Sequence, residues 1–376
     1  MAESVTPVRN NLPAKLTVKQ FFLNVLNGMA VGIVAALIAN AVLNGILGAL
    51  APHSTIAKGL QYCAYAIQFA TAPVIGFIVG VNFKFPPLKS ACIALVAYIA
   101  AGNVVFVPGE TLQVVQANGE VVERVIKGYY KVTGLGDILN VLVACSIAAA
   151  VTLWLKDKFG SLQLVLQPIV VGVFVSWLGY FLGQYVGQVT KYFGDFINYF
   201  TNQQPWIMCP VLAIAFCFAV ASPLSSVALS LITGVTGLAS GAANIGVASA
   251  ATFLIIAAWK ENKIGVPVAI AFGAIKMMLP KLIMRPYLFV PMFVLAAING
   301  VVVAALGIVG DTSSAGFGYI SLIGPIKAYQ MMDSSFKLVY IVLAYAVVPF
   351  VVGYLIHFVC TRVLKLYDNK YFKFEA

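Results

Sequence analysis

Residues 196–259 read FINYFTNQQPWIMCPVLAIAFCFAVASPLSSVALSLITGVTGLASGAANIGVASAATFLIIAAW, with no Asp, Glu, Lys or Arg between Asp195 and Lys260. A membrane-crossing helix needs roughly 20 apolar residues. The stretch is therefore too long for one crossing and suits two, with residues 234–241 as the turn or as part of a broken helix. The pattern repeats outward. Charge-free gaps from Lys19 to Lys58, Lys58 to Lys84, Lys89 to Glu110, Asp137 to Lys156 and Lys158 to Lys191 each fit one helix. Residues 264–278 are a short apolar stretch with Pro267 near its start, while 286–310 and 338–361 are full spans. The expectation is an all-α integral membrane protein of about ten transmembrane helices.

Composition agrees. The chain has 376 residues, 61% apolar and 9% charged, against roughly 25% charged in soluble domains. That excludes an ordinary soluble enzyme, a disordered chain and a nucleic-acid-binding domain. The net charge of +11 sits in short loops and tails. With both termini in the cytoplasm, five basic clusters fall inside, as the positive-inside bias requires. Lys260 and Lys263 fall outside in this count. Either that loop breaks the bias, or residues 264–278 are re-entrant and one upstream crossing is miscounted. The six cysteines lie in apolar runs without a CxxC and read as buried free thiols.

Residues 1–19 read as a cytoplasmic arm, not a cleavable signal. Residues 20–190 form a first half of five spans, 191–205 an amphipathic aromatic linker, 206–365 a second half and 366–376 a cytoplasmic tail. In the polar loop 108–137, two β-prone runs flank Ala117-Asn118-Gly119-Glu120, which predicts a small extracellular β-hairpin. Gly76 and Gly80, and Gly179, Gly183 and Gly187, are spaced for close helix approach, either within the chain or across a dimer seam.

Two segments look broken. In residues 221–226 Pro223 leaves a carbonyl without its amide partner; the neighbouring serines either satisfy the backbone or face a cavity. Residues 311–325 follow a full span and are too short and polar to cross. Irregular backbone at membrane depth survives where it is buried in protein or lines a wet cavity, and paired broken segments point to a transporter site. Asp311 is either a functional acid or a loop acid at the outer surface. Asp137 reads as a helix N-cap, and Lys276 and Lys281 as snorkelling side chains. His53 and His357 lack ligand-spaced partners, so no metal is expected. No GxSxG, P-loop or HExxH occurs. Neither an enzyme nor a cofactor is expected.

The runs GDTSSAGFGYISLIGPIKA (310–328) and ASPLSSVALSLITGVTGLASGAANIGVA (221–248), with GLGDILN (134–140), resemble the EIIC-like membrane family of the bacterial phosphotransferase system that includes the perfringolysin O regulator. The resemblance covers most of the chain. It implies a glucose-superfamily EIIC architecture with re-entrant hairpins, a homodimer formed through the first half, and a sugar held in the second half and moved by an elevator-like step. It also implies a bacterial cell membrane and phosphorylation of the sugar by an EIIB domain; for this chain, either EIIA and EIIB are separate chains or no phosphorylation occurs. The sequence departs from sugar-carrying relatives in having no Glu-Pro; Glu261 is the sole glutamate of the second half.

Two functions follow. One is transport of a small neutral polar solute, a carbohydrate or related metabolite, bound by Ser222, Ser225, Ser226, Asn244, Asp311, Thr312, Ser313, Ser314, Gly316 and Gly318. The other is a membrane sensor or regulator on the same scaffold, which binds without transport.

Overall fold

The structure, a computed structural model, describes residues 16–115, 121–312 and 314–374. Helix α1 (Val18–Leu50) starts at a capping box: the Thr17 hydroxyl accepts from the Gln20 amide and the Gln20 side chain accepts from the Thr17 amide. This satisfies two amides that the first helical turn leaves unpaired. Helices α2 (Thr55–Ile67) and α3 (Thr71–Asn82) continue into one apolar rod. Gly28 and Gly32 of α1 lie against the backbone of Val79 and Ile75, so α1 and α3 pack without intervening side chains.

Helix α4 (Pro87–Ala100) follows. Strands β1 (Val104–Val107) and β2 (Glu110–Val115) lead out, and β3 (Val121–Ile126) and β4 (Tyr129–Val132) lead back. β2 pairs antiparallel with β3, and β1 with β4. The anticipated turn at 117–120 lies outside the described residues. Helix α5 (Ile138–Leu155) is N-capped by Asp137, whose carboxylate accepts from the amides of Leu139 (2.9 Å) and Asn140 (3.2 Å).

Helix α6 (Gln163–Gln167), a π-turn at Pro168–Val175 and α7 (Ser176–Thr201) complete the first half. The expected amphipathic linker is no separate helix here, because α7 runs unbroken through Lys191 to Thr201. No proline interrupts it. The small-residue spacings act inside the chain. Gly76 and Gly80 face α4, Gly179 faces Ala100 and Ala144, and Gly183 faces Asn140, while Gly187 faces open space. Asn140 Nδ2 donates to the carbonyls of Ala100 (2.6 Å) and Gly179 (2.9 Å), tying α4, α5 and α7 together.

The second half holds α8 (Pro205–Ala221), α9 (Ser226–Thr233), α10 (Gly237–Ala258), α11 (Gly265–Ala271) and α12 (Leu279–Met284). It continues with α13 (Phe289–Leu306), α14 (Ile323–Met331), α15 (Lys337–Val342) and α16 (Val348–Phe358). One buried apolar cluster lies within residues 197–372, and a second within 25–175 with Leu279 added. Helix α10 is the axis of the second half. Of its most apolar window, 94% is buried, against 28–50% in the other helices long enough to cross.

Among the described residues seven helices are long and apolar enough to cross a membrane, and Pro87–Ala100 and Pro205–Ala221 are shorter apolar helices. Residues 264–278 do not form a crossing. They divide into the seven-residue α11, a 3₁₀ turn (Ala274–Met278) and α12. Both ends of this stretch meet the C-terminal tail: Asn262 bonds the backbone of Phe372 (2.9 Å) and Phe374 (2.7 Å), and Arg285 stacks on Tyr371. The chain goes in and returns. Lys260 therefore lies at the same end of the bundle as Arg362 and Lys365, with which it lines one cavity. Lys260 thus sits beside the C-terminal tail, as the re-entrant reading of residues 264–278 expects. One cysteine also departs from expectation. Cys63 is exposed, while the other five are buried, and all six are free thiols.

Candidate functional site

The first break shows proline chemistry resolved locally. Pro223 has no N–H for the carbonyl four residues earlier, Ala219. Ser222 supplies a substitute: its hydroxyl donates to that carbonyl at 3.0 Å. The turn then exposes the carbonyls of Ser222 and Leu224. Lys276 reaches in from the returning 3₁₀ turn and donates to both, at 2.6 Å for Leu224. Lys276 therefore does not snorkel outward.

The second break is a hairpin laid along α10. Gly310 pairs with Gly237 through two backbone bonds (2.8 and 3.1 Å). A Cβ on Gly241 would overlap the carbonyl oxygen of Ile308, so only glycine admits the loop here. Ser240 donates to the Asp311 carbonyl at 2.8 Å. One turn along α10, Asn244 Oδ1 accepts from the amides of Phe317 (3.2 Å) and Gly318 (3.1 Å). Two turns further, Thr252 Oγ1 is 3.0 Å from the Tyr319 hydroxyl. From 240 to 252 the loop follows α10 for roughly 18 Å at 1.5 Å per residue. Helix α14 then carries the chain back. Gly324 returns beside Asn244, and Lys327 pairs with Asp311 at 2.9 Å.

Asp311 is thus neither a lone functional acid nor a plain surface acid. Its carboxylate is held by Lys327 and by the Ser314 amide (2.9 Å), and about a third of the Asp311 and Lys327 side chains stays exposed (31% and 30%). Ser314 Oγ bonds back to the Asp311 carbonyl at 3.0 Å. Thr312 Oγ1 donates to Val235 at 3.2 Å, and Ser226 Oγ to the Gly316 carbonyl at 2.8 Å. Gly316 and Gly318 have positive φ, and a Cβ at either would strike Ser226 or Val247.

The structure therefore brings Ser226, Asn244, Asp311, Thr312, Ser314, Gly316 and Gly318 together on one seam. Ser222 belongs to the other break, where its hydroxyl serves its own helix, and Ser225 starts α9 through its carbonyl. Ser313 lies outside the described residues.

Two groups on this seam have no protein partner: Asn244 Nδ2 and Tyr345 Oη are both buried and unbonded among the described residues. An added Cβ on Gly324 would lie 3.0 Å from Tyr345 Oη and 3.2 Å from Asn244 Cγ, and one on Gly310 would lie 3.3 Å from Asn244 Nδ2. Buried polar groups are seldom left unpaired, and here two occur along one seam.

Tyr345 sits there because of Pro349. It lies in a π-turn (Leu343–Val347), and Pro349 cannot donate to the Tyr345 carbonyl. The Tyr319 hydroxyl donates to that carbonyl instead. Tyr345, Gly324, Ser240 and Lys327 were not anticipated from sequence. The Tyr345–Pro349 spacing was the readable signal; Lys327 had none. Among the described residues no cluster of three His, Cys, Asp or Glu could hold a metal ion.

The seam offers hydrogen-bond donors and acceptors, aromatic rings and one internally neutralised ion pair. That suits a neutral hydroxyl-rich ligand better than an ion. No curated protein and no solved structure matches the chain. The family described as phosphotransferase system, EIIC, matches residues 23–374. The chain therefore belongs to the EIIC family of the phosphotransferase system, membrane components of sugar transport.

Proposed function

We propose that this EIIC protein carries a small neutral polar solute, a sugar or related metabolite, bound along the α10 seam by Asn244 Nδ2 and Tyr345 Oη. The presence of these two buried, unpaired groups on one seam carries the reading. Asp311 and Lys327 stand at the half-exposed end of the same hairpin and complete the polar lining. Alternating access would come from an elevator-like shift of residues 206–365 against a first half that dimerises. The exposed α7 face of Trp177, Tyr180 and Tyr185, with the open Gly187, supports that seam. Phosphorylation would fall to separate EIIA and EIIB proteins. The perfringolysin O regulator subtype is proposed on the runs at 221–248 and 310–328.

Uptake of labelled hexoses, pentoses and polyols into proteoliposomes tests the proposal. Saturable uptake by the native chain that is lost in Asn244→Asp supports it, because that change keeps the Oδ1 acceptor and removes the free donor. Saturable binding of the same solutes without uptake, with EIIA and EIIB present or absent, would identify a sensor instead.

A further inference from the structure

A cavity of about 870 Å³ lies at the far end of α10, distant from the Asn244 seam. One side of it is apolar: Ile255 and Ile256 of α10, then Phe350, Tyr354 and Phe358 of α16. The three α16 aromatics recur every four residues, so they form a single stripe along the helix. Phe350, Tyr354 and Phe358 are 40%, 60% and 48% exposed. The same spacing continues to Arg362, which with Lys260 and Lys365 forms the rim. Trp259 stands beside Lys260 and is 55% exposed.

The rim charge is uncompensated. Lys260, Arg362 and Lys365 form no ion pair among the described residues. Asp368 is the cavity's carboxylate, and one of its oxygens is taken by the Lys370 amide (3.0 Å). His357 is bonded to the Tyr367 hydroxyl at 3.0 Å. The floor is fixed rather than fluid. Leu366 N bonds the Cys360 carbonyl (2.8 Å), and Asn262 pins the tail at Phe372 and Phe374.

A basic rim above an exposed apolar stripe, with a tryptophan at the boundary, has the layout of a lipid headgroup site between membrane helices. We propose that this cavity binds an anionic phospholipid, its phosphate among Lys260, Arg362 and Lys365 and an acyl chain along Phe358, Tyr354 and Phe350. A free phosphate or phosphorylated metabolite shares the headgroup chemistry but would leave the aromatic stripe uncovered.

Trp259 provides the readout. In the full chain with Trp154, Trp177 and Trp206 changed to Phe, brominated phosphatidylglycerol and brominated phosphatidylcholine are compared as quenchers in mixed vesicles. The expected result is preferential, saturable quenching by phosphatidylglycerol. The preference should fall about fivefold for each cation removed and vanish in Lys260→Gln/Arg362→Gln/Lys365→Gln. A control removing Lys58, Lys158 and Lys191 should keep it. Should the triple variant fail to fold, Lys365→Gln alone must still lower the preference. Equal quenching by both lipids, a preference unchanged in the rim variants, or full displacement by millimolar inorganic phosphate would overturn the proposal.

Discussion

The two broken stretches of the second half solve the same problem differently. Around Pro223 and Lys276 each polar group freed by the break is used within the protein. Ser222 takes the carbonyl that Pro223 abandons, and Lys276 takes the two carbonyls beyond it. Along α10 the 310–327 hairpin is bonded almost as thoroughly, yet Asn244 Nδ2 and Tyr345 Oη remain over, beside Gly310 and Gly324. A break in a membrane helix is thus no marker of a site by itself. What distinguishes the two is the polar capacity left after the backbone has been satisfied.

That contrast can be broken by substitution, most severely at the closed end. Lys276→Met leaves two buried carbonyls unpaired, at about 1–3 kcal/mol each, and thermal unfolding in detergent should drop sharply or folded protein be lost.

Asn244→Ala comes next. It removes the acceptor for two amides as well as the free donor, so a loss of about 2 kcal/mol should accompany the loss of solute uptake. Asp311→Asn should cost less, under about 1 kcal/mol. Its ion pair with Lys327 is part-exposed, and an amide oxygen can still accept from Ser314. A large destabilisation there would mean that the pair holds the hairpin, leaving less of it for ligand.

Much of the fold was legible because single residues decide it. Asp137 after Gly134-Leu135-Gly136 reads as an N-cap and is one. The charge gaps placed the long helices, and Pro223 and Gly234 placed the interruptions around α9. What stayed hidden depends on distant contacts. The side on which Lys260 lies is fixed by Asn262 gripping the tail more than a hundred residues away. The inward turn of Lys276 needs the carbonyls of a different break. Asp311 looked isolated because its partner Lys327 comes alongside only after the hairpin closes. The site was half legible. Asn244 and the glycines of the hairpin stood out as small or amide residues in an apolar context. Tyr345 passed as one aromatic among many in a long span, although Pro349 four residues on already leaves its carbonyl in need of an outside donor.

Tyr345→Phe isolates what distinguishes the two breaks. It deletes the hydroxyl alone and keeps the carbonyl that Tyr319 uses. Solute binding and thermal unfolding of this variant should be measured on the same preparation. The expected result is an unfolding temperature unchanged or slightly raised, since the hydroxyl has no partner to lose, with solute affinity reduced about tenfold, as for one lost hydrogen bond in a buried site. Unchanged affinity, or a destabilisation as large as that of Asn244→Ala, would contradict the assignment of this hydroxyl to the solute.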